Sequence, residues 1–553
     1  MSVAADLRLS VSPIDSVIVV IFFAVVIGNG VLARRFVSGS TDFFLSGRSL
    51  PAWVSGFAFI AANLSAMELL GMAANGAQYG MPATHYYFIA AIPAMVFLGL
   101  VMMPFYYSSR VRSVPEFLRR RFNNAAHLFQ SLAFAVASIL IAGINLYALG
   151  LLVNGLLGWP VWLSMLTAAL VVLSYTTFGG LSASINNEVM QFFVIVAALV
   201  PLTLIGLHRV GGWDALIGHV TAKLGEDATH AWRGTTVGEA TNPFGNWIAI
   251  ALGMGFVTSF GYWTTNFAEV QRALAAKDLA AARRAPLIGA FPKMLLPAVV
   301  ILPGMIALPL LPELGTPGVP YNNALPLLIG ELLPTGLVGL ALAGLLASFM
   351  AGMAANISAF NTVVTYDIWQ SYVRKDRADR YYLAVGRVAT VVGIGLGIGA
   401  AFIAAGYHNI QTYIQQLQSF FNAPLFTTFL FGMLWKRVTP WAGFWGMIAG
   451  VAGAAGVYVA EALGWLSFNS EQAAAFAGSG AAFVADGVVT LAVTAVTVPK
   501  PDHELRGLVW SLTSRRWNTA DRDSRTLRRW VQSPVTLGVI CLSFATALSF
   551  WIA

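Results

Sequence analysis

The sequence predicts an all-α membrane protein with about fourteen transmembrane helices. The first observation behind that expectation is composition. Of 553 residues, 58% are hydrophobic and only 10% charged, at a mean hydropathy of +0.72, a balance that no soluble chain of this length shows. The second is the series of apolar segments, fourteen in all, separated by polar stretches too short to fold alone. The third is the placement of positive charge. If the first residues are outside, all but six of the 32 lysines and arginines fall on the cytoplasmic side. Arg8, Arg209, Lys223 and Arg233 lie outside, while Lys293 and Arg387 lie within segments. One miscounted helix would scramble this asymmetry, so it sets both the count and the orientation. The chain is expected in the plasma (inner) membrane with both termini outside the cytoplasm. The net charge of +8 is therefore a matter of topology, not a nucleic-acid footprint. A single cysteine, Cys541, excludes an internal disulfide.

Segment 14–33 reads as a retained helix, because only Arg8 precedes it and Arg34 and Arg35 follow. A turn at Ser46-Gly47-Arg48 leads to Pro51, which opens segment 52–78. Within Gly56–Gly80, GFAFIAANLSAMELLGMAANGAQYG, the apolar run is interrupted by Asn63, Ser65, Glu68 and Gly71. A charge at membrane depth costs a few kcal/mol or more and usually faces a cavity or a partner. A helix broken near the midplane also frees carbonyls that can hold a cation or a solute. The plainer alternative is a packing seam of Ala61, Ala62, Ala66 and Gly71 with Glu68 neutralised by a hidden partner.

Segment 82–106 carries His85, Tyr86 and Tyr87 where an interfacial aromatic belt would lie. VPEFLRRRFN (Val114–Asn123) reads as a basic amphipathic anchor on the cytoplasmic surface. Segments 126–157, 160–177 and 186–208 follow, the last opening with Glu188 near the inner interface. After an outer stretch at 209–243, segment 244–268 is again interrupted, by Gly253, Gly255 and Gly261. Segment 286–311 holds Lys293 between Pro292 and Pro297, placed either to snorkel or to serve a site. Segment 336–371 contains SFMAGMAANISAFNT, suited to close helix contact. GIGLGIGA in segment 382–405 has the letters of a nucleotide loop without a preceding strand. Segments 411–434, 441–461, 477–498 and 535–553 complete the series, with a basic loop at 499–533. No HExxH or GxSxG occurs, and neither an enzymatic activity nor a cofactor is expected. Interrupted helices open two blocks of five segments, which points to a binding site between inverted repeats. The expected units are 1–51 (extra helix and turn), 52–208 (first repeat), 209–243 (outer loop), 244–434 (second repeat) and 435–553 (three further helices).

Several motifs then become specific together. FFLSGRSLPAWVSGFAFIAANLSAMELLGM resembles the opening of the sodium/solute symporter family. So do YTTFGGLSA (Tyr175–Ala183), GYWTTNFAEVQRALAAKDLAAAR (Gly261–Arg283), VILPGM (Val300–Met305), TYDIW (Thr365–Trp369), YIQ (Tyr413–Gln415) and LFGMLWKRVTPWAGFWG (Leu430–Gly446). They run in family order from about residue 42 to 446, and the sodium–glucose branch is the most similar. The resemblance implies a LeuT-like core of inverted five-helix repeats. It implies a sodium site at the carbonyls of Ala61, Leu64 and Ser348, with two hydroxyl positions that here read Ala351 and Gly352. It implies a fifth-helix acid, here Glu188, in ion coupling. For the solute it implies Lys293 and Gln415, an aromatic gate at Tyr262 and Trp263, and positions now occupied by Glu68 and Ser259; Tyr87 is added as a further solute contact. Two polar positions of the sugar branch read Phe88 and Ala91, so the pocket is less sugar-like than that branch.

The function expected is secondary-active symport of a small polar organic solute on a cation gradient, by alternating access. The partners are the solute, the cation and the lipid bilayer, without nucleic acid. Sodium follows from the resemblance, whereas Glu68 also fits proton coupling or recognition of solute charge. The alternative is a solute sensor or structural membrane protein on the same fold.

Overall fold

The structure, a computed structural model, describes residues 11–33, 40–407, 409–512 and 533–553. The basic residues Arg8, Arg34 and Arg35, and those from Arg515 to Arg529, lie outside them. The described residues are overwhelmingly helical and contain no strand, only an isolated bridge between Leu50 and Ala276. In chain order the main helices are α1 (Pro13–Ala33), α2 (Ala52–Asn63), α3 (Met67–Tyr79), α4 (Met81–Tyr107), α5 (Asn124–Leu157) and α6 (Val161–Val210). There follow α7 (Phe260–Thr265), α8 (Phe267–Leu274), α9 (Leu279–Leu310), α10 (Leu337–Thr362) and α11 (Asp379–Ala404). The chain closes with α12 (Ile410–Leu434), α13 (Pro440–Ala462), α14 (Glu471–Val496) and α15 (Pro534–Trp551).

The count of fourteen spans is not reached by length and composition. Ten of the described helices are long and apolar enough to cross a bilayer, or eleven with α2 and α3 taken as one bent span. The shortfall has identifiable sources. The apolar parts Pro13–Asn29 and Val161–Ser174 are short. Segment 244–268 is divided between a loosely wound π-type stretch, Ala249–Ser259, and α7. Segments 160–177 and 186–208, expected as separate helices, lie in one helical element, α6, whose apolar parts are Val161–Ser174 and Ser184–Val210.

The bent pair forms the centre. Its halves meet at 57°, and α9 packs along both of them. That contact is possible because Gly76 and Gly304 carry no side chain. A Cβ on Gly304 would collide with the carbonyl of Ala73, and one on Gly76 with that of Ile301. Around this pair, α10 lies against α5 and α6, α11 against α5, and α12 against α14. Five prolines inside α9 sit in a helix otherwise buried along most of one side, where neighbouring helices hold its course.

Two surface expectations are corrected. In the run Val114–Asn123, Arg121 is fully buried. Its guanidinium donates to the carbonyls of Gly432 (2.6 Å), Trp435 (3.0 Å) and Val438 (3.1 Å), and so caps the C-terminal end of α12. His85 and Tyr87 are buried as well: His85 Nε2 meets the carbonyl of Ala231 at 2.8 Å, and the Tyr87 ring lies 4.7 Å from the Lys293 ammonium.

Candidate functional site: a cavity beneath a broken helix

The break between α2 and α3 comes from three residues that leave the helical ladder. Leu64 adopts φ −68°, ψ 68°, and the Ser65 N–H turns back to the carbonyl of Asn63 at 2.7 Å. The carbonyl of Ala61 thereby loses its helical partner. The Ala66 N–H bonds instead to Oδ1 of Asn145 on α5 at 3.0 Å, which frees the carbonyl of Ala62. The carbonyl of Leu64 accepts a 2.5 Å hydrogen bond from the hydroxyl of Ser348 on α10. Ala61, Leu64, Ser348 and Gly352 do converge here, but not all as donors. At Gly352 a Cβ would collide with Ser65 and come within 2.6 Å of Asn145 Oδ1. No hydroxyl-bearing residue fits at that position, and an amide oxygen from α5 stands in its place.

Beside the break lies a small cavity of about 50 Å³, enough for a few water molecules at about 10–15 Å³ each. Six of the expected solute residues come to it from α3, α4, α7, α9 and the stretch before α7: Glu68, Tyr87, Ser259, Tyr262, Trp263 and Lys293. Gln415 joins them from α12. Lys293 does not snorkel. It is 2% exposed and donates to Glu68 Oε1 and to Asn63 Oδ1, both at 2.6 Å. Its ammonium also sits 4.7 Å from the ring centre of Tyr87 and 5.3 Å from that of Trp263. Glu68, 5% exposed, is therefore the neutralised intramembrane acid that its depth demanded. The hydroxyl of Ser259 and Oε1 of Gln415 are buried without a hydrogen-bond partner among the described residues.

From the cavity a line of hydrogen bonds runs to α8. Asn63 Nδ2 donates to the Tyr262 hydroxyl at 3.2 Å, and that hydroxyl donates to Glu269 Oε1 at 2.9 Å. Glu188, the acid that the resemblance assigns to ion coupling, is 1% exposed and held by Arg272 at 2.5 and 3.2 Å. Ser184 adds a third hydrogen bond to Glu188 at 2.6 Å. It lies apart from the cavity and does not join the lining.

Several participants are not singled out by the sequence. Gln411 and Gln418 line the cavity with Gln415, and their spacing of four and three residues on one helix face is the signal that could have found them. Glu269 stands in plain sight as an acid in FAEVQR, and Asn145 as the lone amide in ILIAGINLYALG.

Comparison with known proteins agrees with this geometry. The family model described as "Sodium:solute symporter family" matches residues 43–450. A sodium/glucose cotransporter of Vibrio parahaemolyticus is 28% identical over 468 residues, covering 81% of this chain and 85% of that one. A sodium/mannose cotransporter of Bos taurus is 29% identical over 471 residues, covering 79% and 78%. Among solved structures, a Na+-coupled sialic acid symporter in a substrate-bound outward-open state superposes with a TM-score of 0.72 at 19% identity, over 88% of this chain and 99% of that one. That likeness concerns the fold. With a broken helix at its centre, a polar cavity beside the break and a family match across most of its length, the chain belongs to the sodium:solute symporter family and is a secondary-active symporter.

Proposed function

We propose that the solute is small, neutral and polyhydroxylated, of the sugar class, and that it binds in the cavity of Lys293 and Glu68. The observation that carries this reading is the pair of unpartnered groups, Ser259 Oγ and Gln415 Oε1, beside an ion pair that leaves the site without net charge. Buried polar groups without partners are costly, and a ring of hydroxyls would satisfy them. Trp263 and Tyr87 offer apolar faces to such a ring. A cavity of about 50 Å³ is too small for it, so binding separates Lys293 from Glu68, and each then turns to a solute hydroxyl. Gln411 and Gln418 extend the same donor and acceptor set, and Tyr262 closes the cytoplasmic side. The relatives named for glucose and mannose transport favour this class.

For the cation, the carbonyls of Ala61 and Leu64 and the side-chain oxygens of Ser348 and Asn145 offer the hard ligands that sodium takes. Gly352 contributes room rather than a ligand. A second reading, coupling to protons through Glu68, draws on one observation: the Ser348 hydroxyl already donates to Leu64, and no hydroxyl stands at 351 or 352. Uptake of labelled glucose and a sugar panel into proteoliposomes separates the readings. A sodium gradient alone is expected to drive uptake in the native chain. Glu68→Gln is expected to weaken solute affinity at least several-fold while sodium dependence persists. Uptake driven by a proton gradient alone and abolished by Glu68→Gln would establish the second reading. Binding without uptake under either gradient would make the chain a sensor.

We also propose that all fourteen apolar segments cross the bilayer, with 52–208 and 244–434 as the two repeats and 1–51, 209–243 and 435–553 outside them. The charge asymmetry supports it. A reporter fused after Ala553 is expected to be active only outside the cytoplasm; activity inside would mean an odd number of crossings.

A further inference from the structure

Five ionisable side chains lie together between the cavity and α8: Glu68, Lys293, Glu188, Arg272 and Glu269, none more than 5% exposed. Lys293 pairs with Glu68, and Arg272 holds both oxygens of Glu188. Three acids stand against two bases, so one carboxylate has no countercharge, and that one is Glu269. Its Oε1 accepts from Tyr262, while its Oε2 is buried without a partner among the described residues. The charged groups acting on it are Arg272, Glu188 and Lys293, with Tyr262 in direct contact. An isolated charge in such surroundings takes up a cation or loses its charge. A metal ion needs several free oxygens. Glu188 has none to offer, since Arg272 and Ser184 already occupy both of its oxygens. Among the described residues no group of three acids, histidines or cysteines could hold a metal. A proton needs one oxygen.

We propose that Glu269 is a proton-binding site, with the proton on Oε2, and that its occupancy is coupled to the inner gate. With the proton bound, the five-group cluster is neutral and stays dry. When the cytoplasmic side opens and water enters, Oε2 releases its proton to that water and the carboxylate is hydrated. No other bond forms or breaks. The Tyr262 hydroxyl bridges Glu269 to Asn63, and Asn63 accepts from Lys293, so the state of Glu269 reaches Lys293 in the solute cavity through three hydrogen bonds. The consequence for transport, a proton moving with the solute cycle, rests on the symport reading above, whereas the proton site itself does not.

The test is infrared difference spectroscopy of the full chain in liposomes, with pH as the only variable and no solute added. The native protein is expected to show the carbonyl stretch of a protonated carboxyl group in dry surroundings at neutral pH. That band is expected to be lost in Glu269→Gln, displaced in Glu269→Asp and retained in Glu68→Gln. If Glu269→Gln does not fold, the displacement in Glu269→Asp decides the matter. A carboxyl region unchanged by substitution at Glu269, or a band that vanishes with Glu68→Gln instead, overturns the proposal. Because no sugar enters the measurement, failure of sugar uptake would leave this result standing, and the reverse holds too.

Discussion

Lys293→Met is expected to be among the most damaging single substitutions in this chain. The replacement keeps length and apolar stem but leaves Glu68 as a carboxylate without a countercharge at membrane depth. It also removes the donor to Asn63 Oδ1 and the cation between Tyr87 and Trp263. Breaking a buried ion pair by removing one partner costs about 3–5 kcal/mol. Thermal unfolding in detergent should register that as a clear fall in Tm, and uptake should be lost. Lys293→Met combined with Glu68→Gln removes both charges and is expected to recover most of the stability, because a neutral pair of similar volume no longer leaves a buried charge. Transport should not return, since both groups are proposed to turn towards the solute. A single variant as stable as the native chain would mean that the pair is not a stabilising element of the closed cavity.

The second large effect is expected at Arg272. Its side chain is fully buried, holds Glu188 with two hydrogen bonds and returns a third to the carbonyl of Ala268 at 2.7 Å. Its own carbonyl is held by the hydroxyl of Ser55 on α2 at 2.5 Å. Arg272→Met leaves two buried acids, Glu188 and Glu269, on the same side of the site, again at a cost of about 3–5 kcal/mol. Water entering from the cytoplasmic side is the cheapest relief, so the inner side should open. The native chain offers a convenient background, since its single cysteine, Cys541, is buried. A cysteine placed at Ser259 is expected to react with a cytoplasmic thiol reagent several-fold faster when Arg272→Met is present, and Glu188→Gln should reverse most of that gain. Equal reactivity in the presence and absence of Arg272→Met would show that the pair does not hold this side shut.

Much of the architecture was legible in the residues because depth in a bilayer is a one-dimensional property. Apolar runs and the side on which lysine and arginine fall depend on local composition, so the series of helices and the exceptional status of segment 52–78 follow without knowledge of any contact. The spacing of motifs from about residue 42 to 446 likewise pointed to the family that the comparison then established. Glu68 was recognisable as a group in need of a partner, since an acid in the middle of an apolar helix is too costly to leave unpaired.

Which partner it takes is a different kind of fact. Glu68 and Lys293 are 225 residues apart, and Glu188 and Arg272 are 84 apart. Hydropathy places each at a depth but not at an azimuth, and whether a lysine snorkels or turns inward depends on which helix stands beside it. The same gap accounts for Tyr87, whose place near a helix end suggests an interfacial belt although its ring faces Lys293 in the cavity. It accounts for Asn145 as well, because the empty space left by Gly352 has meaning only once α5 and α10 are brought together. By itself, then, the sequence determined an all-helical chain of apolar spans, the break in segment 52–78 and the family. Only the tertiary structure decided how the buried charges pair, and that Glu269 is left over, since pairing depends on distances across helices that no local pattern encodes.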